Sequence, residues 1–419
     1  MKTLAQIAAE LQGYDPQALS AQAVNEFLSH LVVPVSELET LDMFAALGRV
    51  LSEDVISPVS VPPHDNSAMD GYAFDGAQLG TAPLKLKVVG TALAGKAWQG
   101  QVGPGECVRI MTGAIMPPGL NTVLPQEFAQ VDGQHITVPA GVVKLGDNRR
   151  LAGEDVMAGQ AALQKGELLR PAALGLMASL GIPQVKVLRR LKVAYFSTGD
   201  EILSLGETPR EGAVYDSNRY TVFGLLTRLG CEVIDLGVVK DQPALLKAAF
   251  ERGAREADAI ITSGGVSVGE ADYTKTMMRE LGDVAFWRIA MRPGRPMAVG
   301  RINNAVLFGL PGNPVAVMVT FLAFVRPALL QMMGARQRDL PLLKARSTEA
   351  IRKKPGRTEY QRGTVSTVNG QLQVCTTGNQ GSGVLSSMVQ GNGLIVLHHH
   401  QGNVAVGDEV DVMMFEGMI

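Results

Sequence analysis

Apolar residues recur at helical spacing along the first part of the chain. Four of them, at steps of three and four residues, are Val24, Phe27, Leu28 and Leu31. Ser20 stands just before this run, where a helix N-cap is expected. Residues 41–51 repeat the pattern. The spacing therefore predicts that residues 1–53 are largely helical.

The pattern changes between residues 54 and 150, where short β-rich runs such as 84–89 and 107–111 alternate with glycine and proline turns. This texture predicts a small all-β module. Residues 151–188 return to helical spacing, with Leu174, Met177 and Leu180 three residues apart. We expect this segment to pack with the N-terminal helices. One helical domain, 1–53 with 151–188, would then carry the β-module 54–150 as an insertion.

From residue 192 onward, apolar strands alternate with helices. The predicted strands are 193–196, 232–236, 259–262 and 306–308, and the predicted helices are 219–229, 243–252, 273–281 and 314–333. This alternation predicts a parallel sheet with helices on both faces, that is, a three-layer α/β domain over residues 189–338. Strands and turns dominate residues 339–419, which predicts a second small β domain. The fold class is thus α/β and multidomain.

Length, composition and charge support this division and narrow the functional classes. A chain of 419 residues is too long for one ordinary core. Hydrophobic residues make up 46% and charged residues 19%, which is typical of a globular protein. The net charge of -2 argues against general nucleic-acid binding, which would require a basic excess. Any anion-binding site must therefore be local.

Cysteine use and hydropathy indicate a cytoplasmic protein without a membrane span. Cys107, Cys231 and Cys375 are far apart, which predicts buried thiols rather than disulfides or a zinc site. The N-terminus lacks the apolar run of a secretory signal. The apolar segment 315–333 is interrupted by Arg326 and Pro327, so we predict a buried helix there.

Three loops between the predicted strands and helices of the α/β domain contain the strongest candidates for ligand binding. They are residues 262–273, 292–296 and 310–314. In an open α/β sheet, ligands bind at the carboxyl ends of the strands, so these loops are expected to converge. The spacing of Gly264 and Gly269 imitates a phosphate loop, but Glu270 and Ala271 stand where a Walker site needs Lys and Ser/Thr. A Walker site is excluded. A backbone cradle for a phosphate or diphosphate, and a plain tight turn, both stay open.

Carboxylates at the same sheet edge predict a divalent cation. Glu201 and Asp272 each stand beside a glycine-rich turn. Carboxylates that face a phosphate site repel it unless a cation lies between them, and Mg²⁺ prefers a few oxygen ligands plus phosphate. Asp216, which precedes a predicted helix, is better explained as an N-cap.

Basic residues supply the complementary charge. Arg288, Arg292 and Arg295 flank Pro293-Gly294, so they do not share one continuous helix. A solvated face is the alternative, but their position between the glycine loops favours anion capture by the guanidinium fork. His398, His399 and His400 are expected to form a surface hairpin rather than a metal cluster, because adjacent strand residues point to opposite faces.

The β-module has a dense polar loop of its own, residues 62–73, and is flanked by residues 110–114 and 149–155. These segments lie far in sequence from the loops of the α/β domain. A complete site that uses both sets would therefore form between domains or between subunits.

With these loops in view, the chain resembles the molybdopterin molybdenumtransferases, the bacterial MoeA family that is related to the C-terminal domain of gephyrin. The resemblance covers nearly the whole chain. The motifs that carry it are DNSAMDGYA at 65–73, MTG at 111–113, GED at 153–155, STGDE at 197–201, SGGVSVGEADY at 263–273 and LPGNP at 310–314.

The resemblance implies an elongated homodimer of four-domain subunits that share an active cleft. It implies a transferase of molybdenum cofactor biosynthesis, which inserts molybdate into adenylylated molybdopterin and releases AMP with Mg²⁺ or a similar divalent cation. It also implies transient contact with a molybdopterin adenylyltransferase and with molybdoenzyme-maturation proteins. Sulfur ligands for molybdenum come from the substrate, so clustered cysteines are not required.

Individual roles also follow from the resemblance, by motif position. The implied catalytic residues are Asp70, Thr112, Asp155, Glu201, Asp241 and Asp272, and Glu201 and Asp272 would bind the metal ion. The implied substrate-binding residues are Ser263, Gly264, Gly265, Ser267, Arg288, Arg292, Arg295, Pro311, Pro314, Arg362 and Ser382. The last two come from the C-terminal domain.

The chain departs from the family pattern in its cationic residues. Many relatives have Lys-Pro-Gly-Lys-Pro where this chain has Arg292-Pro293-Gly294-Arg295-Pro296, and a lysine at position 288. Arg and Lys bind oxyanions with different geometry, so affinity or a molybdate-over-tungstate preference can differ. Two other functions stay open at the level of sequence: adenylylation of molybdopterin by ATP, and a dimeric scaffold without catalysis.

Overall fold

The computed structural model describes residues 2–266, 273–336 and 341–416. Its N-terminal helices, Leu4–Glu10 and Ala21–Leu31, form as the spacing predicts. Ser20 caps the second helix by accepting a hydrogen bond from the backbone N–H of Ala23 at 3.1 Å. Both helices pack on the α/β domain, where Phe27 meets Trp287 edge-to-face with ring centroids 4.9 Å apart.

The predicted helix at 41–51 is wrong. This segment contains the end of the strand Leu38–Asp42 and the short 3₁₀ helix Met43–Ala46, in which Phe44 is fully exposed. The strand pairs antiparallel with Gln184–Leu188, which is distant in sequence. A long-range partner of this kind overrides local helical spacing.

Residues 151–188 are also less helical than predicted. Their helix is Pro171–Ser179, and it packs with 43–55 rather than with the two N-terminal helices. In the remainder of this segment, Ala161–Leu163 pairs with Val55–Ile56. Just before the segment, Arg149–Arg150 pairs with Asn66–Ser67. Two connections therefore lead into and out of the β-module.

The β-module forms a six-stranded sheet. In spatial order its strands are Thr122–Pro125, Gly71–Phe74, Glu106–Ile110, Leu84–Ala92, His135–Val138 and Gln130–Asp132. Its two faces bury separate apolar clusters. The module thus has its own core and presents its turns at the periphery.

The α/β domain is a six-stranded sheet with helices on both faces, and the predicted fold class is confirmed. Its strands, in spatial order, are Glu232–Val239, Lys192–Thr198, Ala259–Ser263, Ala305–Leu310, Pro296–Ile302 and Asp283–Arg288. The first four are parallel. The sequence interpretation missed the last two: Pro296–Ile302 pairs antiparallel with both of its neighbours, so Asp283–Arg288 runs in the same direction as the first four. The helices are Ser217–Leu229, Pro243–Glu256, Tyr273–Leu281 and the composite helix Pro314–Met332.

The composite helix is a core element. Among the described residues, it is the one helix long and apolar enough to cross a membrane, but 83% of its apolar window is buried inside the protein. A π-helical stretch, Phe321–Val325, interrupts it just before Pro327. Proline lacks an N–H for the helical ladder, so a local change of hydrogen bonding there is expected.

The C-terminal domain is a closed five-stranded barrel, as predicted in outline. Around the barrel, the strands are Thr358–Val368, Gln371–Thr376, Leu343–Ser347, Glu409–Met414 and Gly393–Leu397. The short helix Ser386–Gln390 packs on its side. Cys107 and Cys231 are buried, whereas Cys375 on this barrel is exposed, contrary to the prediction.

Candidate active site

A cleft of about 890 Å³ lies between the carboxyl edge of the α/β sheet and the C-terminal barrel. It is lined by residues 198–201, 241, 264–266, 291–296, 311–313, 316, 357 and 380–382. The loops that follow all four parallel strands contribute to this lining, as the strand order predicts.

The glycine loop, residues 264–266, reaches the cleft with two glycines at positive φ. Gly264 and Gly265 have φ values of +90° and +64°, and a Cβ atom on Gly264 would lie 2.4 Å from the carbonyl oxygen of Thr198. Glycine is required at this close approach. The N–H of Gly264 donates to the carbonyl of Leu310 at 3.1 Å, so it serves the loop rather than a ligand.

One part of the cleft is acidic. Asp200, Glu201 and Asp241 line it together. Burial raises the pKa of Asp241, and the nearby charges of Asp200 and Glu201 raise it further. A hydrogen bond from the hydroxyl of Thr274, at 3.3 Å, opposes this shift. Among the described residues, no group of three His, Cys, Asp or Glu side chains is placed to hold a metal ion by itself.

The arginine loop supplies positive charge. Arg292 and Arg295 are exposed and line the cleft. Met291–Arg292 runs parallel to the start of the barrel strand, with Arg292 opposite Glu359, and the N–H of Thr358 donates to the carbonyl of Ala290 at 2.9 Å. The arginine loop is thereby fixed to the C-terminal domain.

Arg357 also lines the cleft and was missed by the sequence interpretation. Its guanidinium donates to Glu359 Oε1 at 2.8 Å through Nε, and Nη2 lies 2.7 Å from the same oxygen. Glu359 is only 2% exposed, so it fixes the direction of the arginine. Nothing in the local sequence distinguishes Arg357, because its place depends on the ladder between two domains.

Arg362 lies behind the cleft wall. It is 1% exposed and donates to the carbonyl of Gly381 and the hydroxyl of Ser387, each at 2.9 Å. Burial lowers the pKa of Arg362 to about 10, and the charge of Arg292 contributes to the shift. Its donors thus hold the cleft-lining loop 380–382.

Ser263 ends in a buried hydroxyl network. Its Oγ lies 2.7 Å from the hydroxyl of Tyr195, which lies 2.8 Å from Ser197 Oγ. Ser197 donates to Asp216 Oδ1 at 2.9 Å, and the N–H of Arg219 donates to the same oxygen at 3.1 Å. Asp216 is therefore the N-cap that the sequence predicts, and it also ties the helix Ser217–Leu229 to the strand Lys192–Thr198 below the cleft.

The candidate residues of the β-module lie outside this cleft. Both the N–H and the hydroxyl of Thr112 donate to Asp70 Oδ1 at 2.7 Å, and these bonds hold the pKa of Asp70 below its ordinary value. Asp155 is exposed on a neighbouring turn. None of these three residues is among those that line the cleft.

The remaining candidates fall in three groups. Glu201, Asp241, Gly264, Gly265, Pro311 and Ser382 line the cleft with Arg292 and Arg295, whereas Arg288 and Pro314 do not. Ser267 and Asp272 lie outside the described residues. The histidines stand in a turn after the strand Gly393–Leu397, where His398 Nε2 lies 2.6 Å from Asp411 Oδ2.

Fold and cleft together define a multidomain protein whose α/β domain and C-terminal β-barrel enclose a cleft lined by arginines and carboxylates. Family models match in the same order along the chain. They are "MoeA N-terminal region (domain I and II)" at residues 19–181, "Probable molybdopterin binding domain" at 194–331 and "MoeA C-terminal region (domain IV)" at 344–415.

Relatives with these names extend over nearly the whole chain. The molybdopterin molybdenumtransferase of Haemophilus influenzae is 42% identical over 95% of this chain and 98% of its own. That of a Nostoc species is 36% identical over 90% and 88%. A crystal structure of the Pyrococcus horikoshii molybdopterin biosynthesis MoeA protein is 28% identical, covers 95% of this chain and 100% of its own, and superposes with a TM-score of 0.80. This chain belongs to the molybdopterin molybdenumtransferase family, whose members are transferases of molybdenum cofactor biosynthesis.

Proposed function

We propose that this chain inserts molybdate into adenylylated molybdopterin and releases AMP. The observation that carries the proposal is one cleft in which Arg292, Arg295 and Arg357 face the same space as Glu201 and Asp241. Both substrates are anionic, and guanidinium groups suit tetrahedral oxyanions. In this reaction the two dithiolene sulfurs of the substrate replace two oxygens of molybdate, and the phosphoanhydride is hydrolysed to release AMP. With the two thiol protons, one displaced oxygen leaves as water and the other balances the water equivalent that the hydrolysis consumes.

The cleft lining supports the proposed roles of those residues that belong to it. Arg292, Arg295 and Arg357 would hold molybdate or phosphate oxygens, with Arg288 adding charge from outside the cleft. Gly265 and Ser267 would approach the diphosphate, and Pro311 and Pro314 would shape the loop over it. Ser263, Gly264 and Arg362 would act indirectly, because their polar groups are already bonded within the protein.

We propose that Mg²⁺ or a similar divalent cation serves this reaction. Glu201 and Asp272 would hold it, with Asp241 close by. Mg²⁺ commonly uses one or two carboxylates together with substrate phosphates, so a site without three protein ligands fits it. The raised pKa of Asp241 reflects burial together with the charges of Asp200 and Glu201, a repulsion that a cation would relieve. When bound, the cation would neutralise charge on the phosphoanhydride.

We propose that two chains form a homodimer in which Asp70, Thr112 and Asp155 of one subunit complete the cleft of the other. Within one chain these residues are separate from the cleft lining. Thr112 and Asp155 are exposed and Asp70 is half-buried, which leaves them accessible to a second subunit. A cytoplasmic location, and transient contact with the adenylyltransferase that makes the substrate, complete the proposal.

The test is release of AMP from adenylylated molybdopterin by the purified full-length chain. AMP is expected only when both molybdate and Mg²⁺ are present, together with formation of molybdenum cofactor. AMP release that ignores molybdate would contradict the insertion step. ATP consumption by this chain alone would favour the adenylyltransferase function instead.

A further inference from the structure

Three segments of the β-module meet at one residue, Asp65. Its backbone carbonyl accepts a hydrogen bond from the N–H of Met116 at 2.9 Å. Its Oδ1 accepts from the N–H of Ala152 at 2.8 Å, and its Oδ2 lies 3.5 Å from Arg149 Nη1. Asp65 thus binds two segments that are far from it, and from each other, in sequence.

Each of these segments carries one candidate site residue. Asp70 follows Asp65 along the same loop, Thr112 precedes Met116, and Asp155 follows Ala152. Backbone pairing strengthens the junction between the first two segments. The N–H of Ser67 donates to the carbonyl of Ala114 at 3.0 Å, and the N–H of Gly113 donates to the carbonyl of Ser67 at 2.8 Å.

The turn that bears Asp155 is attached to the segment 61–73 by backbone bonds on one side and by a side chain on the other. On its far side, the N–H groups of Gly153 and Asp155 donate to the carbonyls of Pro62 and Val61 at 2.9 and 3.1 Å. On its near side, beyond the strand Arg149–Arg150, Asp65 supplies the side-chain bond to Ala152. This carboxylate therefore sets the approach of the turn to the pair Asp70 and Thr112.

We propose that Asp65 is a positioning residue that holds Asp70, Thr112 and Asp155 in one arrangement. The proposal rests on the proposed function only in that these three residues act on the substrate. Asp65 itself does not touch the reacting atoms. Its carboxylate is suited to this place because one oxygen accepts the amide of Ala152 while the other lies near the cation of Arg149.

The neighbouring cation, Arg149, makes the negative charge of Asp65 necessary in addition to its hydrogen-bond acceptor. Its side chain is 29% exposed, and its Nε is buried without a hydrogen-bond partner among the described residues. Among the described residues, the carboxylate that pairs with this cation is that of Asp65. An asparagine would keep the acceptor for Ala152 but would lose the compensating charge.

Two variants test the proposal in the full-length protein. Asp65→Ala removes the side-chain interactions with Ala152 and Arg149, and Asp65→Asn retains the acceptor for the N–H of Ala152. We expect Asp65→Ala to lower kcat for AMP release by roughly tenfold or more, because small misplacements of catalytic groups have large effects on rate. The molybdate concentration for half-saturation should stay unchanged, since the arginines are untouched. Asp65→Asn should recover part of kcat.

Asp75→Ala is the matched control. Asp75 lies in the same module and also caps backbone, with Oδ1 accepting from the N–H of Ala77 at 3.0 Å and from Asn121 at 3.2 Å, but it contacts none of the three segments. It should lower thermal stability without the loss of kcat. An equal loss of kcat in both alanine variants, or wild-type kcat in Asp65→Ala, would overturn the proposal.

Amide hydrogen exchange provides a readout that needs no activity. Asp65→Ala should speed exchange in peptides that cover 149–155, because the amide of Ala152 loses its acceptor, and Asp75→Ala should not. Unchanged exchange there would overturn positioning by Asp65. Inactivity of the wild-type protein would instead overturn the proposed function, and exchange would still decide the role of Asp65.

Discussion

The side chain of Asn313 donates a hydrogen bond from Nδ2 to Ser382 Oγ at 3.0 Å and thereby joins the α/β domain to the C-terminal barrel at the mouth of the cleft. The N–H of Val315 donates to the carbonyl of Ser382 at 3.1 Å beside it. Both Asn313 and Ser382 line the cleft. The position of the barrel over the sheet edge is therefore coupled to the shape of the site.

Replacing Ser382 with alanine should weaken binding without unfolding the barrel. The variant loses the side-chain bond to Asn313 and keeps the backbone bond to Val315. A net hydrogen bond contributes about 1 kcal/mol, so AMP affinity measured by titration calorimetry should fall severalfold. Ser366→Ala, at an exposed hydroxyl of the same barrel, is the control. Equal affinities for all three proteins would contradict the coupling.

Replacing Arg357 with alanine should raise the molybdate concentration needed for half-maximal AMP release, because one of three cleft arginines is lost. We expect a rise of about tenfold or more, since a hydrogen bond to a charged group contributes about 1.5–3 kcal/mol. Arg352 is exposed on the same domain and does not line the cleft, so Arg352→Ala should behave as wild type. A matching shift in both variants would indicate a general charge effect.

Replacing Arg362 with methionine should destabilise the loop 380–382. The buried hydroxyl of Ser387 and the partly buried carbonyl of Gly381 lose their donor, and leaving a buried group unsatisfied costs about 1–3 kcal/mol. Chemical denaturation should report a lower free energy of unfolding. Arg346→Met, at an exposed arginine with one backbone contact, is the control. A stable Arg362→Met protein that fails only to bind molybdate would favour direct contact with substrate.

Replacing Asp241 with asparagine should raise the melting temperature at neutral pH. The folded state raises the pKa of this carboxyl through burial and through Asp200 and Glu201, so its ionised form costs stability at neutral pH. The difference should fade as the pH falls through that raised pKa towards the ordinary aspartate value, where both states are protonated. Mg²⁺ should stabilise the variant less than the wild type. Thermal melts across pH, with and without Mg²⁺, would measure both effects. An equal stabilisation of the variant and the wild type by Mg²⁺ would contradict a role of Asp241 near the cation.

Mixing two inactive variants tests the shared cleft. Asp70→Ala and Glu201→Ala should each lack activity alone. If residues of one subunit complete the cleft of the other, co-expressed chains form mixed dimers with one intact site, and about a quarter of wild-type activity should return for random pairing. Differently tagged chains allow the mixed dimer to be purified. No recovery, although that dimer is isolated, would place both residues in one subunit's site.

Local sequence determined much of this protein. The spacing of Val24, Phe27 and Leu28 predicts a helix that forms, because its apolar face has a continuous core to pack on. Alternation of strands and helices predicts the α/β domain, and the loop motifs place Glu201 and Arg292 at its sheet edge. In such cases short-range pattern and long-range packing agree.

Tertiary structure decided the rest. Residues 38–42 form a strand because Gln184–Leu188 lies beside them, and no local pattern contains that partner. Arg357 reaches the cleft because a ladder joins two domains, and Arg362 is withdrawn from it because the loop at Gly381 takes its donors. Sequence determines which side chains are present and which elements they favour. The groups that remain free for a ligand are set by contacts between residues far apart in the chain, since each donor bonded within the fold is one fewer available to the cleft.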